Sequence, residues 1–278
     1  MAEKRSPWLW GCGISCGALI ILAIVVTAGS FTFFRNTFSG FEEAVQVKEE
    51  LEERFGRVQD YVPAAGGRIT ADRIQAFLEV RKQSTEKRQA VADFFAKIPD
   101  QQRAEQLENA SFWEKMTFGL SMARGGLGLG ADIGHFFEQR NRALLSQEMG
   151  IGEYAYIYTT AYYGWLRKSP DDGPGSSNAD IDVGGGTFAK IRRNWLGALE
   201  RAAEQAESSP EITEALQTEL ALLQEDRRRI PWQDGLPTVL AEVLETFRAD
   251  LEESYVAITN PFELVVTARE GRFGYTSE

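Results

Sequence analysis

The feature that most constrains this chain is a long uncharged stretch near its amino terminus. From Ser6 to Phe34, 29 consecutive residues carry no charged side chain. A helix of about 20 apolar residues crosses the ~30 Å hydrocarbon layer of a bilayer. Trp8 and Trp10 lie at one end of the stretch and phenylalanines at the other, where aromatic rings favour the membrane interface. The sequence therefore predicts a transmembrane helix, with residues 1–35 forming a cytoplasmic stub and a signal anchor.

The residues that flank this stretch indicate its orientation and processing. Lys4 and Arg5 precede it, which favours a cytoplasmic amino terminus and places the rest of the chain outside the cytoplasm. Small residues before and at Ala28 also allow cleavage there by a signal peptidase. Because the apolar stretch continues beyond Ala28, we predict an uncleaved single-pass anchor with an extracytoplasmic domain. Cleavage after Ala28 remains the alternative.

Small side chains are concentrated in the first half of the predicted anchor. Gly13 and Gly17 are four residues apart, as are Cys12 and Cys16, so each pair shares a helix face. Lipid tails do not drive helices together, and small residues that allow close backbone approach therefore mark a packing face. We predict that these four residues contact a partner helix.

The remainder of the chain is acidic and has the periodicity of helices. The whole chain has 41 acidic and 30 basic residues, a formal net charge of −11, which argues against nucleic acid as a partner. Apolar residues recur at helical spacing, and no segment alternates as an exposed strand does. We expect an all-α protein, with a transmembrane helix followed by an irregular helical bundle. Its helical regions are predicted over 36–168 and 187–278, packed together, with a flexible Gly/Ser/Asp-rich loop over 169–186 between them.

Three helix boundaries are predicted within these regions. Thr70 is expected to cap a helix that continues to Pro99. Ser209 and Pro210 are expected to begin another helix, because proline is favoured in the first turn. A last helix is expected from Val239 to Ile258, with its end at Asn260-Pro261.

An aromatic segment over 154–166 is the most distinctive part of the domain. Within it, Tyr154, Tyr158, Tyr162 and Trp165 share one helical face. A buried core helix is the favoured interpretation, with the tyrosine hydroxyls bonded at its rim. A partner surface is the alternative, because Tyr and Trp dominate the energetics of protein interfaces.

Two glycine-containing motifs suggest catalysis or cofactor binding but are incomplete. Residues 126–131 fit a loose dinucleotide-binding turn, yet no strand precedes them, so helix packing or a hinge is favoured. Residues 119–123 are similar to a nucleophile elbow with alanine in place of the last glycine, and they also lack a strand. His135 would be the base of such a hydrolase. We therefore predict no cofactor and no catalytic residue.

A set of three side chains on one helix is the candidate metal site. Asp132, His135 and Glu138 follow one another at three-residue steps and could ligate one metal ion. Di-iron helical bundles use two histidines, and this chain has one. A surface cluster without metal is the favoured interpretation.

A second acidic cluster lies in the predicted loop. The spacing of Asn178, Asp180 and Asp182 matches the first ligands of a calcium-binding loop. Such a loop has glycine at its sixth position and a bidentate glutamate at its twelfth, and this chain has Val183 and Ala189 there. A solvated acidic loop is favoured, and calcium binding within 171–182 stays open.

Several segments resemble a class of bacterial envelope proteins. They are residues 39–44, 51–56, 72–81 and 154–166, together with the Trp8-x-Trp10-Gly11-Cys12-Gly13 anchor. They resemble bacterial single-pass, membrane-anchored extracytoplasmic proteins that carry no assigned activity. The resemblance implies an accessory chain, and one such setting is an extrinsic subunit that braces a photosynthetic reaction centre within its antenna rings. It carries over no functional residue, because pigment ligation needs a histidine in the membrane and His135 lies outside the predicted span.

The function predicted from these features is structural. We expect a non-catalytic accessory subunit that docks on and stabilises a larger membrane protein complex through its anchor and its extracytoplasmic domain. The alternative is a membrane-anchored small-molecule-binding protein or envelope enzyme, with a deep pocket lined by Tyr156, Tyr162 or Trp165. The single histidine favours the first, because many catalytic and metal sites need two.

Overall fold

The computed structural model describes residues 43–96, 129–169, 187–205, 210–226 and 229–264. Throughout these ranges the regular structure is helical. Ala64 and Arg68 form an isolated β-bridge. The all-α prediction is confirmed for this part of the chain. Among the described residues no helix is long and apolar enough to cross a membrane.

Several predictions fall on residues outside the described ranges. They include the anchor over 1–35 with Cys12, Gly13, Cys16 and Gly17, the motif at 119–123, the loop over 170–186 with its calcium-like segment, and Ser209. The dinucleotide-like motif lies partly outside them, and its last three residues begin a helix.

The described residues form ten α-helices and one π-helix. The first half contains α1 over 43–55, α2 over Ala71–Gln83, α3 over Thr85–Ala96, α4 over Leu129–Ser146 and α5 over Ile151–Tyr158. α5 continues as a π-helix over Thr159–Trp165. The second half contains α6 over Thr187–Glu204, α7 over Pro210–Glu225, α8 over Thr238–Thr246, α9 over Arg248–Ser254 and α10 over Asn260–Glu263. Short 3-10 turns occur at Val58–Asp60, Ala65–Gly67 and Ala257–Thr259.

The core forms where α2 packs against α4, α5 and the π-helix. Phe77 of α2 is fully buried, and its ring centroid lies 5.0 Å from that of Tyr154 and 6.1 Å from that of Tyr162. Burying a side chain of this size stabilises a fold by roughly 1.5–3 kcal/mol. α6 packs against the turns that precede α2, and α9 packs against α2 itself. The core therefore joins elements from both halves of the chain.

The predicted helix from Thr70 to Pro99 is interrupted. Thr70 occupies the N-cap position of α2, as predicted. Ser84 separates α2 from α3, and its hydroxyl donates to the carbonyl of Val80 at 2.9 Å. Ser84 has φ −93° and ψ 5°, outside the helical range, and its hydroxyl shares the carbonyl of Val80 with its own backbone N–H.

The predicted last helix is wrong in its length and in its end. Phe247 has φ −109° and ψ 15°, which separates α8 from α9, and α9 ends at Ser254. Asn260 and Pro261 begin α10 instead of ending a helix. Proline fits there because the first turn of a helix leaves its backbone N–H groups without helical partners. Pro210, by contrast, begins α7 as predicted.

Candidate functional site: a buried arginine, tyrosine and glutamate network

The aromatic segment lies inside the domain. Tyr154, Tyr158 and Tyr162 each have 0% exposure, so these three side chains belong to the core. In this conformation they are therefore not exposed as a surface for a partner. Trp165 is half-buried, and the guanidinium of Arg248 stacks over its ring at 4.4 Å.

The π-helix directs two tyrosine hydroxyls to one side chain. Leu166 N–H donates to the carbonyl of Ala161, five residues earlier, as expected for π geometry. Residues five apart then share a face, whereas an α-helix would turn them away from each other. Tyr158 and Tyr163 accordingly both donate to Oδ1 of Asn260, at 2.6 and 2.9 Å. Asn260 is the first residue of α10, so these two bonds position α10 against the π-helix.

Glu263 at the end of α10 is the one carboxylate in the centre of this network. Its Oε1 accepts from Nε of Arg88 at 2.7 Å and lies 3.4 Å from Nη1 of Arg81. Its Oε2 accepts from the hydroxyl of Tyr154 at 2.7 Å. Glu263, Arg81 and Tyr154 have 0% exposure and Arg88 has 2%. A carboxylate is thus held by two cations and a neutral donor away from water.

Backbone carbonyls satisfy the remaining guanidinium groups. Arg81 donates to the carbonyl of Ser254 through Nε and Nη2. Arg88 donates to the carbonyl of Arg81 at 2.8 Å. Arg140 of α4 donates to the carbonyls of Phe262 and Glu263 at 3.0 and 2.9 Å. Buried guanidinium groups are costly unless hydrogen-bonded, and these bonds tie α2 to the end of α9, α3 to α2, and α4 to α10.

The charges of the network control its protonation. Burial alone would raise the pKa of Glu263, but the positive charges of Arg88 and Arg81 outweigh it and hold that pKa at about 2. Burial, and next the charge of Glu263, raise the pKa of Tyr154 well above its usual range. At neutral pH the carboxylate is therefore ionised and Tyr154 is a neutral hydrogen-bond donor.

This arrangement is suited to holding segments together. Its polar groups are buried and bonded to one another, so in this conformation a substrate does not reach them. We name residues 248–264 the carboxyl-terminal segment. The network fixes this segment against α2, α3, α4 and α5 across more than a hundred positions of sequence.

No sequence prediction covers the network, although the spacing of its arginines is a signal for it. Arg81 and Arg88 follow Ile74 at steps of seven residues, so they lie on the apolar face of α2 and α3. Arg140 similarly follows Phe136 and Phe137 on the apolar face of α4. A charged residue on an apolar face predicts a buried partner, because burying an unpaired charge is expensive. The identity of that partner is not encoded locally.

The predicted metal-site residues lie on α4 but make other contacts. Oε1 of Glu138 accepts from Nε of Arg142 at 2.8 Å, and Nδ1 of His135 lies 3.4 Å from Oε2 of Glu138. In the described part of the chain, no three His, Cys, Asp or Glu side chains are grouped so that they could hold a metal ion. Asp132 is accordingly not brought into a ligand set there.

Tyr156 lines a small cleft beside the start of α5. Trp195 and Thr159 also line it, and its volume of about 30 Å³ has room for about two water molecules. The hydroxyl of Tyr156 is used elsewhere, since it donates to the carbonyl of Gly67 at 2.8 Å. Tyr162 points its hydroxyl toward Oγ of Ser254 at 2.7 Å. This cleft is therefore not the deep pocket that the small-molecule alternative predicts.

No known protein family matches the sequence, and no characterised protein or solved structure is similar enough to count as a match.

Proposed function

We propose that this chain is a non-catalytic accessory subunit that docks on a larger protein complex of a bacterial inner membrane and stabilises it. The observation that carries the proposal is the uncharged stretch from Ser6 to Phe34, whose length suits one membrane crossing. The amino terminus is proposed to lie in the cytoplasm and the helical domain in the periplasm. The anchor would contact both lipid and a partner helix.

The internal chemistry of the domain supports a structural role. Its fully buried charged groups are bonded to one another and to backbone carbonyls, in an arrangement that links distant segments. A domain that is rigid in this way suits a subunit whose task is to hold other subunits in position. Because the chain is acidic overall, the complementary surface of a partner would be basic.

The resemblance to envelope proteins suggests a membrane protein complex as the partner. A photosynthetic reaction centre with its antenna is one complex in which such an extrinsic subunit would fit. The proposal does not depend on that identity, because its test identifies whichever complex the chain joins.

The test is co-purification of the full chain from mild detergent, with the partners identified by mass spectrometry. A stoichiometric membrane partner is expected with the natural sequence. In the predicted anchor helix, a Gly13→Leu/Gly17→Leu variant would prevent close helix approach, and we expect it to lose that partner. Ser15→Leu is the control, because Ser15 lies on the opposite face of the predicted helix and a leucine there leaves the Gly13 and Gly17 face unchanged.

The outcomes separate anchoring from docking. If the chain remains in the membrane fraction but elutes alone, the accessory-subunit proposal fails while the anchor stands. If Ser15→Leu releases the partner as completely as the glycine variant, Gly13 and Gly17 do not form the docking face. If the natural chain is found in the soluble fraction, the anchor itself is wrong.

A further inference from the structure

We propose that Arg81, Arg88 and Tyr154 form a carboxylate-binding socket that the chain fills with its own Glu263. The three side chains come from α2, α3 and α5, and none belongs to the carboxyl-terminal segment. Two of them contact opposite oxygens of the carboxylate, at 2.7 Å from Arg88 and 2.7 Å from Tyr154. A guanidinium on one oxygen and a neutral hydroxyl on the other are a combination that recognises a carboxylate.

The socket is prepared independently of the residue that fills it. Nη2 of Arg88 donates to Oγ of Ser84 at 2.8 Å, and Ser84 is itself bonded to the backbone of α2. The aromatic rings of Phe77, Tyr158 and Tyr162 surround the guanidinium of Arg81 at 5.0–5.7 Å from their centroids. Stacking on aromatic faces restricts the orientation of an arginine. Both cations are thereby positioned by elements other than α10.

The segment that fills the socket behaves as a docked peptide. α10 has four residues, and the turn before it, Ala257–Thr259, has three. Helices this short do not form on their own in water, so docking must supply their order. Glu263 is 175 positions from Arg88 and 109 from Tyr154, so its contribution is equivalent to that of a ligand held nearby by a tether.

The volume of the missing group defines the free ligand that would replace it. Removing the Glu263 side chain beyond its β-carbon takes away one methylene and one carboxylate, which are the heavy atoms of acetate. The vacated site would hold two buried cations without their carboxylate, which is the unfavourable state that an entering anion relieves. We therefore infer that acetate enters the socket of a Glu263→Ala variant and restores part of the lost stability.

The experiment is thermal unfolding of the full chain in mild detergent, followed by circular dichroism at neutral pH. Sodium acetate and sodium chloride are compared at equal ionic strength. For Glu263→Ala we expect acetate to raise the Tm by about 2–4 °C more than chloride does, with a dependence on concentration that saturates. The natural chain, whose socket is filled, should respond equally to both salts.

Three controls assign the response to the socket. Glu253→Ala removes an exposed carboxylate of the same segment and should show no preference for acetate. Adding Arg88→Leu to Glu263→Ala should abolish the preference. Pivalate carries the same charge as acetate but is too large for the vacated volume, and it should give the chloride result.

Every outcome decides the proposal. If Glu263→Ala responds equally to acetate and chloride, or if the Arg88→Leu addition leaves the response unchanged, the socket assignment is wrong. Should Glu263→Ala not fold in chloride, it is refolded from urea in each salt. Recovery of helicity in acetate alone supports the socket, and failure in both salts overturns it.

Discussion

Two buried carboxylates in this protein are paired with arginine in different ways. Glu263 is bound by Arg88 and Tyr154, which are 175 and 109 positions away along the chain. Glu219 of α7 is bound by Arg229, ten positions away, at 2.9 Å, and it also accepts from the backbone N–H of Trp232 at 2.7 Å. The first carboxylate joins distant segments, whereas the second closes a local turn.

The surroundings of the two pairs differ as much as their sequence separation. Glu263 has 0% exposure and faces cations that have no other carboxylate within the described network. Arg229 also pairs with Asp234 at 2.7 Å, and the side chain of Asp234 is 74% exposed. Arg229 is 8% exposed, and it keeps this second anion if Glu219 is lost. We infer that a buried carboxylate contributes most to stability when it is fully enclosed and when its loss leaves cations with no other anion. The distance within the pair matters less.

The largest effect is expected from neutralising Glu263. Glu263→Gln keeps the shape of the side chain but leaves Arg81 and Arg88 buried without a counter-charge. We expect a loss of about 3–5 kcal/mol in the free energy of unfolding, measured with urea in mild detergent. Glu253→Gln, at an exposed position of the same segment, should change it by less than about 0.5 kcal/mol. A small loss for Glu263→Gln would mean that the network contributes little to stability.

The pH dependence of stability is the next test. The ordinary pKa of glutamate is 4.5, and that of Glu263 is held at about 2. Above pH 4.5 the folded and unfolded chains both have an ionised Glu263, and the contribution of the network is fully present. As the pH falls from 4.5 toward 2, the unfolded chain takes up the proton first, and the folded state loses stability, by about 2 kcal/mol at pH 3.

Urea unfolding at pH 6 and pH 3 measures this contribution. The natural chain should lose more stability over that interval than Glu263→Gln does. The difference between the two losses measures the contribution of the Glu263 carboxylate. Equal losses in the two proteins would show that the pKa of Glu263 is not lowered in the folded state.

A smaller effect is expected at the local pair. Glu219→Gln leaves Arg229 with Asp234 and leaves an amide oxygen to accept from the N–H of Trp232. We expect a loss of about 1–2 kcal/mol, measured by the same urea unfolding. An effect as large as that of Glu263→Gln would contradict the role that we assign to enclosure.

Sequence periodicity predicted the helical class but not the breaks within helices. Apolar spacing identified the segments that form α2, α5 and α8, because helix faces are local properties. The break at Ser84 involves a serine hydroxyl that bonds to Val80 and to Arg88, each four residues away, and such local side-chain bonds leave no mark on the apolar spacing. The dipeptide Asn260-Pro261 is compatible with either the end or the beginning of a helix. It begins α10, where Asn260 is held by Tyr158 and Tyr163.

The buried network could be predicted only in part, for the same reason. The sequence places Arg81 and Arg88 on an apolar face, and this position predicts that each has a buried partner. Their partner Glu263 lies in a segment with no helical periodicity of its own, and only the folded chain brings it close. The aromatic segment was predicted as core, yet its π-helical geometry could not be read from the spacing of its tyrosines.

The smallest effect we predict tests that π-helical geometry. Tyr163→Phe removes one of the two hydroxyls that donate to Oδ1 of Asn260 and leaves the Tyr158 bond in place. We expect a loss of about 1 kcal/mol by urea unfolding, as for one buried hydrogen bond. Tyr158→Phe/Tyr163→Phe should cost more than the two single variants combined, because it alone leaves Oδ1 without both donors. Strict additivity would indicate that the two hydroxyls do not share Asn260, and that the π-helix does not position α10 through this side chain.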